Sequence, residues 1–312
     1  MEFLRDLPVL VLGLGDSGLA MARWCARCGA GVTVWDSREN PPQAAALQAE
    51  APTARRIAAL PAVLGGDGGP RLILKSPGLA PQDPLVAPLL EEARAAGIAV
   101  LGELDLFARA LADLQAERGY RPQLLAVTGT NGKTTTTAMT ALLVERAGRS
   151  VAMAGNIGPT LLDTLAARLS DLPAVWVLEL SSFQLEGGGH GVRGFEPDAA
   201  AVLNLTQDHL DWHGSMAAYA AAKARIFGSR AVMVVNADDP QVMAMVQTTA
   251  PAPLPGKAPK GKSKPVERSV LRFGLQAPQR PGDFGLVVEN GMAWLVRALP
   301  PDETVKRPRR GT

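Results

Sequence analysis

The stretch Gln123-Leu124-Leu125-Ala126-Val127-Thr128-Gly129-Thr130-Asn131-Gly132-Lys133-Thr134-Thr135 decides the fold. Leu124–Val127 is a short apolar run, which predicts a buried strand; Thr128–Gly132 predicts a turn, and Lys133–Ala147 a helix. In a strand–loop–helix of this kind, backbone N–H groups around the glycines converge on phosphate oxygens, and the helix presents its positive end to them. Gly129, Thr130, Asn131, Gly132, Lys133, Thr134 and Thr135 are therefore candidate ATP-binding residues. Lys133 has the reach for the β- and γ-phosphates, and the Thr134 hydroxyl can ligate Mg²⁺. The spacing is not the usual one, because the outer glycine would fall at Val127 and Gly129 comes two residues later. A plain glycine turn with a surface lysine would leave the run Thr134–Thr137 unexplained.

Downstream of this unit, Val151–Ala154, Ala174–Leu178, Ala200–Leu203 and Ala231–Asn236 read as strands and Met216–Phe227 as a helix. Segments 270–273, 284–288 and 292–296 read as a β-rich edge. Upstream, strands are expected at Val9–Leu14, Val32–Trp35, Arg71–Lys75 and Ile98–Leu101. Helices are expected at Leu19–Ala30, Ala44–Ala59 (broken or kinked at Pro52) and Pro84–Ala96. The alternation predicts an α/β protein with mostly parallel sheets and helices on both faces. It divides into a unit over residues 1–110 and another over 111–312. Ligands of such sheets bind beyond the carboxyl ends of the strands.

The polar clusters lie at those ends. Glu179 closes a strand, where an acid is costly inside a sheet unless it meets a cation. Asn204-Leu205-Thr206-Gln207-Asp208-His209-Leu210-Asp211-Trp212-His213 follows the next strand and holds two of the three histidines. Oxygen and imidazole ligands beside a phosphate loop suit Mg²⁺ bound to phosphates, with His209 the candidate and His213 the weaker one. His190, in a glycine-rich turn, reads as surface. Lys223 lies on the helix after this cluster among alanines; the default for such a lysine is solvation, though its position permits it to point back at the metals.

Near the start, Gly13-Leu14-Gly15-Asp16-Ser17-Gly18 fits G-x-G-x-x-G after a strand, and Asp36 ends the next one. NAD(P) satisfies this pattern, and a nucleotide-sugar diphosphate satisfies it equally, because its physical content is a tight turn beside a helix N-terminus. Asp36, Ser37 and Arg38 are placed to hold a base or ribose, and Ser76-Pro77-Gly78 to touch the same ligand.

Composition narrows the field. The chain has 312 residues, 20% of them charged, with a net charge of +2, which gives little reason to expect nucleic acid. The positive charge gathers in Lys257, Lys260, Lys262, Lys264 and Arg268, near a Pro/Lys/Gly-rich stretch (249–266) that reads as a surface loop, and in Lys306, Arg307, Arg309 and Arg310. Cys25 and Cys28 are too few for a metal site and read as helix-packing residues in a reducing compartment. No secretory signal and no apolar run of membrane-crossing length is visible, so a cytoplasmic protein without membrane insertion is expected.

Taken in order, GLGDSG at 13–18, DSR at 36–38, SPG at 76–78, GTNGKTTT at 129–136, GNIG at 155–158, ELSSFQLE at 179–186 and NLTQDHLD at 204–211 resemble the Mur ligase family along the whole chain. ELSSFQLE, with GLGDSG and DSR, points to the branch that adds D-glutamate to UDP-N-acetylmuramoyl-L-alanine. The resemblance implies a Rossmann-like N-terminal domain for the UDP substrate and a P-loop-containing central domain. It also implies an ATP-dependent acid–D-amino-acid ligase of peptidoglycan synthesis, working as a monomer. By the same resemblance, Gly15, Asp16, Ser17 and Gly18 face the diphosphate and Asp36 with Ser37 the uracil; Arg38, Ser76, Pro77 and Gly78 are further candidates for the UDP substrate. Asn156 meets the muramoyl-alanine portion. Lys133, Lys223 and His209 are the implied catalytic residues. Thr134, Glu179, His209 and a carbamylated Lys223 are the implied ligands of two Mg²⁺ ions. Trp212 departs from the family pattern, which commonly has arginine there. A third, C-terminal domain belongs to the family and is expected to begin where this chain stops. The nearest rivals are a sibling ligase for another amino acid, an NAD-dependent oxidoreductase and a catalytically inert binding protein.

Overall fold

In the computed structural model, which describes residues 2–61, 64, 66, 68–188, 192–248 and 268–300, the apolar run Pro8–Leu12 forms β1 at the centre of a five-stranded sheet. Pleating sends its alternate side chains to opposite faces. Val9 and Val11 pack with the helix α1 (Asp16–Arg27), while Leu10 and Leu12 join a separate apolar cluster on the other side. The chain continues through β2 (Gly31–Trp35), α2 (Ala44–Glu50), β3 (Arg55–Ile57), β4 (Leu72–Lys75), α3 (Ala87–Ala95) and β5 (Ala99–Leu101). All pairings are parallel, in the order β3-β2-β1-β4-β5. One expectation fails here. The helix expected over Ala44–Ala59 ends at Glu50, and residues 55–57 form an edge strand beside β2. Pro52 cannot continue a helical ladder, and beyond it the Arg55-Arg56-Ile57 backbone is satisfied by β2 instead.

The second sheet follows α4 (Glu103–Arg118). Its elements are β6 (Gln123–Thr128), α5 (Lys133–Arg146), β7 (Val151–Gly155), α6 (Leu161–Arg168), β8 (Val175–Glu179), α7 (Ser182–Glu186), β9 (Ala199–Val202), α8 (Leu210–His213), α9 (Met216–Ala224), β10 (Val232–Asn236), α10 (Pro240–Thr248), β11 (Val270–Phe273), β12 (Phe284–Glu289) and β13 (Met292–Arg297). The strand order is β13-β12-β11-β10-β9-β6-β8-β7, parallel except for the β12–β13 hairpin. From β6 the chain first builds β7 and β8 on one side and then β9 to β13 on the other. That reversal opens a crevice beyond the carboxyl end of β6, where Gly129–Gly132 sits. The basic residues Lys257, Lys260, Lys262, Lys264, Lys306, Arg307, Arg309 and Arg310, the stretch 249–266 and His190 lie outside the described residues. Among the described residues, no helix is long and apolar enough to cross a membrane. Cys25 is buried in the core and burial pushes its thiol well up, in keeping with a packing role.

Helix α4 joins the two sheets. Residue 110, the expected edge of the first unit, falls inside it. Phe107 packs edge-on against the fully buried Trp176 of β8, with ring centroids 5.1 Å apart. At the head of α4, Glu103 is buried between Ser17 of α1 and Thr160 at the start of α6, and one carboxyl oxygen accepts the Leu162 N–H at 3.0 Å. Burial pushes its pKa up to about 7, against the opposing pull of that N–H. The folded protein thus holds a proton that the unfolded chain releases at lower pH, and stability falls as pH rises from the ordinary carboxylate range to about 7. Glu103→Gln keeps the shape and the acceptor without the charge. Above pH 7 it should be more stable than the parent by on the order of 3 kcal/mol, with the two converging in acid. Parallel melting curves across pH 4 to 9 would contradict this assignment.

Candidate functional site

The phosphate loop is built by glycines whose conformations other residues adopt poorly. Gly132 sits at φ +80° as the N-cap of α5, and a Cβ on Gly129 would come within 3.0 Å of Leu203. The loop is zipped to the segment after β9. Thr130 N–H donates to the Asn204 carbonyl at 3.0 Å, Asn131 N–H to Asn204 Oδ1 at 2.9 Å, and Asn204 Nδ2 returns a bond to the Asn131 carbonyl at 3.1 Å. Thr206 N–H donates to Thr130 Oγ1 at 3.1 Å, and the Tyr219 hydroxyl lies 3.2 Å from the same oxygen.

Two lysines meet on one carbonyl. Lys133 Nζ donates to Gly129 O at 3.0 Å and to Thr130 O at 2.9 Å, and Lys223 Nζ donates to Gly129 O at 2.9 Å. Lys223 is 2% exposed, against the default expectation of solvation, because α9 packs its last turn onto the loop over the Tyr219 ring, 4.7 Å away. Burial first, and the neighbouring Lys133 charge second, lower its pKa to about 7, with Asp208 opposing. Thr134 and Thr135 are exposed at the start of α5.

Glu179, at the end of β8, is 1% exposed. One oxygen accepts from Asn156 Nδ2 at 2.9 Å; the other, Oε2, is buried without a hydrogen-bond partner. An orphaned carboxylate oxygen there fits a cation. His209 adopts φ +51°, lies half-exposed with its Nε2 3.3 Å from Asp208, and stands 4.7 Å from the Phe183 ring. His213 Nε2 is 3.0 Å from the Ser182 hydroxyl, and burial lowers its pKa. Among the described residues no three His, Cys, Asp or Glu side chains already converge as a metal cluster. A metal here would need further oxygen ligands to complete its shell.

The first glycine loop lines a separate cavity of about 540 Å³ with Asp16, Ser17, Asp36, Ser37, Arg38, Ser76, Pro77 and Gly78. Burial alone would raise Asp36, but bonds from Arg38 Nε at 2.8 Å and from the Arg38 and Leu14 N–H groups hold it down at about 2. Its oxygens thus anchor the loop, and the residue lines the cavity. Gly18 approaches the Gly13 carbonyl so closely that a Cβ would lie 1.9 Å from it, whereas a Cβ on Gly15 would meet nothing within 4 Å. Gly18→Ala should therefore lower stability by about 2–3 kcal/mol. Gly15→Ala should leave the melting temperature alone and reduce only the affinity for a ligand of this cavity. Equal melting losses in the two variants would contradict this division. Sequence reasoning missed three residues here. Tyr219, four positions before Lys223 on one helix face, had a signal in that spacing; Lys75, ending the apolar run Leu72–Leu74, had a weak one; Glu103 had none.

Family models match most of the chain. A Mur ligase MurD-like N-terminal domain covers residues 8–102 and a Mur ligase middle domain residues 127–265. The chain is 60% identical over 309 residues to a UDP-N-acetylmuramoylalanine--D-glutamate ligase of Albidiferax ferrireducens, spanning 98% of this chain and 58% of that protein. It is 54% identical over 314 residues to a protein of the same name from Burkholderia multivorans, with the same coverage of each. The chain thus spans about 58% of the length of these curated relatives. The crystal structure of a UDP-N-acetylmuramate:L-alanyl-gamma-D-glutamyl-meso-diaminopimelate ligase from Neisseria meningitides has the same fold. It superposes with a TM-score of 0.53 at 16% identity, covering 93% of this chain and 84% of that one.

Proposed function

The chain belongs to the Mur ligase family, and from that premise we propose that its protein joins D-glutamate to UDP-N-acetylmuramoyl-L-alanine at the expense of ATP, as a cytoplasmic monomer in peptidoglycan synthesis. The observation that carries the reading is the convergence of Lys133 and Lys223 on the Gly129 carbonyl, at a glycine loop at a helix N-terminus. There the Lys133 ammonium is placed for a polyanion, and Lys223 is a buried amine whose proton is held weakly. NAD-dependent chemistry gives this second loop no work.

In this reading residues 1–110 hold the UDP substrate. Gly15, Asp16, Ser17 and the Ser76-Pro77-Gly78 turn face the diphosphate, with Gly18 packed behind them on the Gly13 carbonyl, and Asp36, Ser37 and Arg38 face the uridine. Asn156, bonded to Glu179, meets the muramoyl-alanine end. Residues from 111 onward hold ATP over the N–H groups of Gly129–Thr135. Lys133 leaves the loop carbonyls for the β- and γ-phosphates. The substrate carboxylate attacks the γ-phosphorus, ADP departs, and the D-glutamate amine displaces phosphate from the acyl phosphate. Lys133 offsets the charge that develops on the transferred oxygens. Thr134, Glu179, His209 and a carbamylated Lys223 would hold two Mg²⁺ ions, which supply further positive charge to the phosphoryl oxygens. The lowered pKa of Lys223 supports the carbamate: only a neutral amine adds to CO₂, releasing a proton as the carbamate forms.

Calorimetric titration with UDP-N-acetylmuramoyl-L-alanine, with NAD as the parallel ligand, tests the assignment. Saturable binding of the nucleotide sugar without binding of NAD is expected. The reverse pattern would return the first loop to an oxidoreductase.

A further inference from the structure

β4 ends on a lysine enclosed by the protein. Lys75 is 1% exposed, and its Nζ donates to the Leu79 carbonyl at 2.8 Å and to the Ser76 carbonyl at 3.4 Å. Those carbonyls belong to the turn that lines the first cavity, and Ser76 Oγ bonds onward to the Gly13 carbonyl at 3.1 Å. Across from it, the ammonium stands 5.7 Å from the centroid of the Trp212 ring, within range of a cation–π contact. Lys75 itself is not among the cavity-lining residues; it stands behind the turn.

Trp212 belongs to the second sheet's site. It sits on α8, three residues after His209. Its Nε1 donates to Glu186 at 2.8 Å, and its carbonyl accepts from Gln82 Nε2 of the first unit at 2.8 Å. Its ring is 4.4 Å from Phe183, which in turn lies 4.7 Å from His209. The segment carrying His209 begins with the Asn204 and Thr206 bonds to the phosphate loop. One buried cation thus touches the turn of the first cavity on one side and, on the other, an indole packed into the histidine segment. Burial lowers the Lys75 pKa to about 8, with the Glu186 charge opposing. Burying an ammonium costs several kcal/mol unless directed partners compensate. An apolar end to β4 would avoid that cost and would leave the Leu79 carbonyl without its donor.

We propose that Lys75 and Trp212 form a positioning pair that couples occupancy of the first cavity to the geometry of the phosphate loop. The proposal rests on the ligase reading for the identity of the two ligands. A nucleotide sugar that orders Ser76–Leu79 fixes the carbonyls that aim Lys75 at Trp212, and Trp212 holds the histidine segment against the loop. Such coupling is reciprocal: a nucleotide on the phosphate loop tightens the first cavity by the same factor.

Calorimetry with UDP-N-acetylmuramoyl-L-alanine, with and without a saturating non-hydrolysable ATP analogue and Mg²⁺, measures that factor. The parent should bind the nucleotide sugar about tenfold more tightly with the analogue present. In Lys75→Met the factor should fall to about one, while affinity for the analogue alone stays within about twofold. Trp212→Leu should lose the same factor, and the double variant no more than either single. Retained coupling in Lys75→Met, or additive losses, would overturn the proposal. A ligand-free arm separates it from the ligase reading: denaturant unfolding of the same four proteins should also be non-additive. A parent that binds neither ligand overturns the ligase reading and the coupling with it. Additive unfolding would by itself remove the pair.

Discussion

Lys133→Ala should lower kcat/KM for ATP-dependent ligation by about a thousandfold, with the fold intact. Among the described residues the side chain makes two hydrogen bonds, both to carbonyls of its own loop, Gly129 and Thr130. Its removal leaves those carbonyls at a partly solvated surface, a small cost to stability. In the phosphoryl-transfer step the loss is large, because the ammonium is the only loop side chain with the charge and reach to meet the migrating oxygens. The effect should fall on kcat more than on the KM for the nucleotide sugar, whose proposed site is the separate cavity at the first sheet. Single-turnover formation of acyl phosphate is the direct readout. A variant that forms it at the parental rate would remove Lys133 from the chemistry.

Lys223→Ala should cost at least about a hundredfold in rate, and millimolar formate or acetate should restore part of it. The argument begins with the shared carbonyl. Burial disfavours the charged form of Lys223, and the Lys133 ammonium on the same Gly129 carbonyl repels it further, so its pKa is lowered to about 7. A lysine with its ordinary pKa would be almost wholly charged there and inert toward CO₂. As a carbamate the same side chain exchanges a repelled cation for an anion beside Lys133, and gains oxygens able to hold a metal. Parental activity should therefore depend on bicarbonate and fall below pH 7 as the amine is protonated. An alanine variant with full activity and no response to small carboxylates would leave Lys223 as a packing residue.

Much of this architecture could be read before any coordinates. Apart from β3, whose residues read as the end of a helix, the strands of both sheets announced themselves as short, largely apolar runs, and the loop at Gly129–Gly132 by its glycines between strand and helix. Other parts were hidden for identifiable reasons. Helix α4 carries Leu104, Phe107, Leu111 and Leu114 at helical spacing between Gly102 and Gly119, yet an expected unit boundary at residue 110 cut across it. The helices α6 and α10 are short and lie in stretches to which the sequence reading assigns no element. At the site, side chains named from local motifs were legible: Lys133, Glu179 and Asp36 all stand at strand or loop ends. Lys223 reads locally as a solvated helical lysine, and only the packing of α9 on the loop buries it. Lys75 and Glu103 are set by contacts between the two sheets, across 137 and 59 residues of sequence to Trp212 and Leu162. No local pattern encodes such contacts.

The most direct test of the ligase account is ADP release by the whole protein, measured with UDP-N-acetylmuramoyl-L-alanine and each candidate amino acid in turn. Release should require D-glutamate and match the amide product mole for mole. Release driven equally by another amino acid, or none with any, would contradict the account.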